Sequence, residues 1–129
     1  MNLTNEDIER YSRNIILPEI GGKGQNKLLK SKVLVIGVGG LGSPLLMYLA
    51  AAGVGNITIV DSDKVELSNL QRQVIHSVHG IGKAKVDSAK KFINQINPKI
   101  NLKKLNYRVD KNNINELIAE NDVVADGSD

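Results

Sequence analysis

The stretch Lys32–Asp61, KVLVIGVGGLGSPLLMYLAAAGVGNITIVD, decides the fold. Residues 32–37 (KVLVIG) are apolar and largely β-branched, residues 37–42 (GVGGLG) hold four glycines, Leu41–Ala52 is rich in Leu and Ala, and residues 56–61 (NITIVD) are β-branched again. Each change in composition marks a change in structure: buried strand, tight turn, helix, buried strand. Parallel strands covered on both faces read as continuous apolar runs, so this order predicts a βαβ unit. The same stretch contains 28 consecutive residues, Val33–Val60, without a charged side chain. That is long enough to cross a bilayer, but the glycines and Pro44 inside it break it into short elements and argue against a membrane span.

Upstream, Thr4 followed three residues later by Asp7 has the form of a capping box, which predicts a helix from Thr4 to about Asn14. Pro18 and the glycines at 21, 22 and 24 predict a break, and Gln25–Lys30 a short amphipathic helix. Residues 1–30 thus form a helical arm ahead of a main domain spanning 31–129. Downstream, residues 62–82 read as a long polar loop with a short helix, of a length that is usually functional. Lys83–Asn97 reads as a helix with Val86, Ala89, Phe92, Ile93 and Ile96 on one face, ended by Pro98. Ile100–Arg108 is a strand, Asn113–Glu120 a short helix and Asp122–Asp126 a further buried strand. The expected architecture is α/β, a Rossmann-like doubly wound and mostly parallel sheet. The fold is expected to be incomplete, because the fourth strand ends at the chain terminus without a covering helix.

Composition narrows the chemistry. The chain has 129 residues, 17 Lys and Arg against 14 Asp and Glu, and no cysteine. A disulfide framework, a thiolate nucleophile and cysteine-ligated zinc are excluded from this polypeptide. Its basic residues are interleaved with acids, so nucleic acid is not the expected partner. The acidic start has no secretory pattern, and the cytoplasm is the expected compartment.

Gly37, Gly39 and Gly42 satisfy G-x-G-x-x-G between a strand and a helix, the context that motif requires. The first glycine permits the turn, the second the approach of a phosphate, and the third close helix-to-strand contact. Asp61 lies 24 residues after Gly37, near the usual offset of the acid that holds a ribose hydroxyl; alternatively it caps the following turn. Lys83 and Lys85 stand at the start of a helix, where the dipole disfavours cations, so a bound polyphosphate would explain them, as would simple solvation. Ser68-Asn69-Leu70-Gln71-Arg72-Gln73 gathers amides and a guanidinium suited to phosphate and ribose, although a polar surface loop is the plainer reading. His76 and His79 have metal-ligand spacing but no third partner, and solvated loop histidines are expected. Asp126 and Asp129 follow the fourth strand, where a carboxylate can hold magnesium against phosphates.

Taken together, RYSRNIILPEIG, the strand with GVGGLG, AAGVGNITIVDSDKVELSNLQRQ, GKAK and DVVADGSD closely resemble the MoeB/ThiF branch of the ubiquitin-activating enzyme superfamily. The resemblance implies an adenylyltransferase that transfers AMP from ATP to the C-terminal glycine carboxylate of a ubiquitin-like sulfur carrier protein, serving molybdopterin or thiamin synthesis. It implies phosphate contacts at Arg72 and Lys85, a ribose contact at Asp61, and nucleotide contacts at Gly40 and at Ser68, Asn69, Leu70, Gln71 and Arg72. Asp129 matches a magnesium-associated carboxylate, and Arg13 an arginine inserted into the partner subunit's site of a homodimer. The family's paired CxxC zinc site belongs to a second half, and this chain has no ligands for it. Three other readings remain: a nucleotide-binding or dimerisation module without turnover, a related adenylyltransferase acting on tRNA or a peptide, and an NAD-dependent oxidoreductase.

Overall fold

Four parallel strands form one sheet in the order β3-β2-β1-β4, with β1 at Lys32–Ile36, β2 at Asn56–Val60, β3 at Asn101–Leu105 and β4 at Val123–Asp126. The structure, a computed structural model, describes residues 3–128. Val33 is in register with Ile57 on one side and Val123 on the other.

Side chains alternate across a strand, and that alternation divides the core in two. On one face Val33, Val35, Ile57, Ile59 and Leu102 pack with Leu46, Ala50, Val86, Ala89 and Ile93 in a single buried cluster. Leu46 and Ala50 come from α4 (Gly42–Ala52), and the last three from α5 (Lys85–Ile96). Fully burying a side chain such as Leu46 stabilises the fold by about 1.5–3 kcal/mol. The other face has a much smaller cluster, Leu34 and Val60 with Leu117 of α6 (Ile114–Ala119). β4 therefore corrects the expectation of a buried strand. It is the sheet edge, and Val123 and Val124 are 56% and 38% exposed.

The arm consists of α1 (Asn5–Arg10), α2 (Ser12–Ile15) and α3 (Gly21–Lys30). The Thr4 capping box is present, with Asp7 N–H donating to Thr4 Oγ1 at 3.1 Å and Thr4 N–H to Asp7 Oδ2 at 3.0 Å. The predicted first helix is interrupted at Tyr11, which is buried and accepts a hydrogen bond from Asn97 Nδ2 at 2.8 Å through its hydroxyl. The expected break falls in the turn around Pro18 and at Gly21, whose φ is +59°, while Gly22 and Gly24 lie within α3. Glycine costs about 1 kcal/mol in a helix, and tertiary contacts override it: Leu28 packs on the core and Gln25 is fully buried with both amide atoms bonded.

Residues 62–82 form a loop with two short 3-10 turns, Leu67–Asn69 and Val78–Gly80. α5 starts at Lys85 rather than Lys83, because the Lys83 carbonyl accepts from Val65 N–H and ties the preceding turn to the loop. Among the described residues, no helix is long and apolar enough to cross a membrane.

Candidate functional site

The chain passes from β1 to β2 on one side and later places β4 on the other. Open α/β sheets bind ligands at such a switch point, outside the carboxyl ends of the strands. A cleft of about 580 Å³, the size of a small-molecule site, opens there between the ends of β1, β2 and β4 and the segment after β3.

Its floor is the glycine turn. Gly37 has φ +87°, a conformation that disfavours any side chain, and a Cβ on Gly42 would lie 1.8 Å from the Gly37 carbonyl oxygen. Only glycine at 42 lets α4 start this close to β1. Gly127, just past β4, packs against the same point: a Cβ on Gly37 would stand 3.0 Å from its carbonyl oxygen. Asp61 Oδ2 accepts from Val38 N–H at 2.8 Å, and Oδ1 from Asp63 N–H at 2.8 Å. Asp61 thus closes the turn and caps the end of β2, while each oxygen keeps acceptor capacity toward the cleft it lines. The amides of Gly39, Gly40 and Leu41 make no main-chain hydrogen bond among the described residues. Free amides at a strand-to-helix turn form an anion site.

Lys85, the first residue of α5, also lines the cleft and is only 6% exposed. A buried ammonium requires an anion. Within the chain it has Asp63, an exposed carboxylate 3.8 Å away. The α5 dipole further disfavours a cation at this position, so the amino group is poised to gain from an incoming anion. Lys83 is exposed and does not line this cleft. Arg72 lies over the turn: its Cδ would be 3.7 Å from a Cβ on Gly40, and its guanidinium donates to the Ser68 carbonyl at 3.3 Å.

The remaining residues singled out from sequence are distributed differently. Ser68, Asn69, Leu70 and Gln71 do not line the cleft. Asn69 is buried and accepts from Glu66 N–H at 2.8 Å, shaping the loop that carries Arg72. Asp126 lines the cleft, and hydrogen bonds from the Ser128 hydroxyl and amide hold its carboxyl below the usual range. Asp129 lies outside the described residues. Among the described residues, no group of three or more His, Asp or Glu could hold a metal ion. Arg13 is exposed on α2, and the neighbouring Asn14 donates to the Ala52 carbonyl at 3.2 Å, which places the arm at the amino ends of the strands. A five-residue strand spans about 16 Å, so Arg13 stands at the far end of the sheet from this chain's own cleft.

His76 corrects the expectation of a solvated side chain. It is 7% exposed, and its ring nitrogens lie 2.7 Å from Ser88 Oγ and 2.8 Å from the Val38 carbonyl oxygen. Burial lowers its pKa, and the Lys85 charge adds to that, against the Val38 hydrogen bond and Asp61. His79 is exposed, as expected. Sequence reasoning missed Arg108 and Tyr107, which line the cleft just after β3, and Gly127 after β4. The strand expected over Ile100–Arg108 ends at Leu105, so Tyr107 and Arg108 fall past its end and into the cleft, and reading them as strand residues hid them. Gln73, quoted in the loop cluster but not assigned a role, is 4% exposed, lines the cleft and has a buried Oε1 without a partner among the described residues.

A glycine turn, a strand-end acid and a buried helix-start lysine at the switch point of a parallel sheet define a Rossmann-like α/β domain whose turn has the free amides an anion site needs. The sequence pattern of the ThiF family matches residues 11–129, and the chain belongs to that family. It is 48% identical over 129 residues to the SAMP-activating enzyme E1 of Haloferax volcanii, covering 100% of this chain and 48% of that protein. It is 47% identical over 129 residues to the molybdopterin-synthase adenylyltransferase of Haemophilus influenzae, covering 100% of this chain and 53% of that one. Its fold is similar to that of E. coli tRNA N6-threonylcarbamoyladenosine dehydratase, TcdA, solved with ATP, at TM-score 0.92 and 27% identity, covering 100% of this chain and 53% of that one. The chain spans about half the length of these relatives.

Proposed function

We propose that the protein adenylylates the C-terminal glycine carboxylate of a ubiquitin-like sulfur carrier protein with ATP, and that this chain supplies the nucleotide site. The observation that carries the reading is the buried Lys85 at the start of α5, lining the same cleft as Gly39, the first of three successive residues, Gly39, Gly40 and Leu41, whose amides make no main-chain hydrogen bond among the described residues. The names of the relatives support the reaction, and the ATP-bound TcdA structure supports the nucleotide.

In the reaction a carboxylate oxygen attacks the α-phosphorus, the bond to the bridging oxygen of the β-phosphate breaks, and pyrophosphate leaves. Two anions must be brought together, so the chain's task is positioning and charge neutralisation. Lys85 and Arg72 take the phosphates, with the glycine amides. Asp61 accepts from the ribose hydroxyls through its remaining lone pairs. The Ser68–Gln71 segment acts by shaping the loop that presents Arg72. Magnesium would be held at Asp129, three residues after the cleft-lining Asp126 in the sequence, and would offset phosphate charge. Arg13 cannot reach its own cleft, and in a homodimer it serves the site of the partner subunit. The expected compartment is the cytoplasm.

The test is carrier-dependent exchange of labelled pyrophosphate into ATP. Lys85→Ala is expected to weaken ATP binding at least tenfold, about the value of a charge-assisted contact, and to abolish exchange. Full exchange in the variant overturns the site assignment. ATP binding without exchange in the unmodified protein selects the binding-module reading.

A further inference from the structure

Val38 occupies the middle of the glycine turn, and its peptide groups are held from two directions. Its N–H donates to Asp61 Oδ2 at 2.8 Å, and its carbonyl oxygen lies 2.8 Å from His76 Nε2. On the other side of the ring, His76 Nδ1 is 2.7 Å from Ser88 Oγ. Ser88 lies three residues after Lys85 on α5, about one helical turn away. A chain of hydrogen bonds thus links the end of β2, the glycine turn, the long loop and the helix that carries the buried lysine.

We propose that His76 is a positioning residue of the nucleotide site, which orients the Val38–Gly39 peptide and fixes the glycine turn against the Lys85 end of α5. The peptide unit is planar and trans, so the Gly39 N–H points opposite to the Val38 carbonyl. With that carbonyl held by the imidazole, the Gly39 amide is aimed away from His76, and Gly39 lines the cleft. This peptide plane turns through ψ of Val38 and φ of Gly39, and glycine at 39 leaves the second of these open to both signs. The tautomer follows from the partners. A carbonyl only accepts, so Nε2 carries the proton, and Nδ1 accepts from the Ser88 hydroxyl. The neutral ring satisfies both neighbours, and burial together with the Lys85 charge favours the neutral form, opposed by the Val38 bond and Asp61.

The inference rests on the nucleotide reading only for its effect on ATP, so its test has an arm independent of ATP. In the unmodified protein, nitrogen-15 NMR of the imidazole is expected to show the Nε2–H tautomer; an Nδ1–H tautomer overturns the proposal. In His76→Phe, which keeps a ring but no donor, the Gly39 amide resonance is expected to shift as its peptide plane turns. The ATP dissociation constant should rise about tenfold, the scale of a lost buried hydrogen bond. His76→Gln, which restores a side-chain N–H donor, is expected to recover most of both effects. A folded His76→Phe protein with an unchanged Gly39 amide and unchanged ATP affinity shows that the residue only fills space. If the unmodified protein binds no ATP, the nucleotide reading fails, while the tautomer and the Gly39 amide still decide the role of His76.

Discussion

At the amino ends of the strands, Asn97 Nδ2 donates to both Tyr11 Oη and the Ala50 carbonyl at 2.8 and 2.9 Å. Beside it, Gln25 donates to the Ala52 carbonyl at 2.9 Å and accepts from Asn14 at 3.0 Å. At the carboxyl ends the pattern reverses. Among the described residues, the amides of Gly39, Gly40 and Leu41 make no main-chain bond, the Gln73 oxygen has no partner, and buried Lys85 has one carboxylate, Asp63, at 3.8 Å. Both ends belong to one sheet, and each keeps one buried amide oxygen without a partner among the described residues, Asn97 Oδ1 and Gln73 Oε1; the difference lies in the donors, which are bonded within the protein at the amino end and open to the cleft at the carboxyl end. The first arrangement holds the arm in place; the second is the electrostatic signature of a binding site.

The largest expected effect breaks the carboxyl end outright. Gly42→Ala drives a methyl into the Gly37 carbonyl. It should lower stability by about 3 kcal/mol or more, read by denaturant unfolding, and eliminate ATP binding in whatever folds. At the amino end, Asn97→Ala removes two hydrogen bonds and leaves the Ala50 carbonyl buried. A loss of about 2 kcal/mol is expected, with the ATP dissociation constant of the folded protein unchanged. A shift in that constant would mean that the two ends are coupled.

The smallest effect concerns pH. His76 is lowered from its ordinary value by burial, so between that value and the folded one the unfolded chain binds more protons. Stability is complete above about pH 6.5, falls as pH drops through it, and stops falling from this cause below the folded pKa. Unfolding followed from pH 7.5 to 5 should show this slope, and His76→Gln should flatten it.

What was legible in the sequence was local. The G-x-G-x-x-G turn, the strands beside it, Asp61 at a strand end and the Thr4 cap each depend on residues within a few positions of one another. What was not legible depends on distant partners. His76 is buried by a carbonyl 38 residues away and a hydroxyl 12 residues away, and no local pattern announces either. Gly22 and Gly24 are helical because Gln25 and Leu28 dock on the body of the domain, against their own propensity. β4 has the composition of a buried strand, and its exposure follows from its place in the sheet order. Arg13 showed the reverse: the family resemblance named it, and the fold places it out of reach of its own cleft.

The central claim is that the carboxyl end is an anion site built by the glycine turn and Lys85. Titration with ATP, followed through backbone amide NMR shifts, tests it most directly. The account predicts the largest shifts at Gly39, Gly40 and Leu41, lost in Lys85→Ala. Shifts centred on the arm, or none at saturating nucleotide, would contradict it.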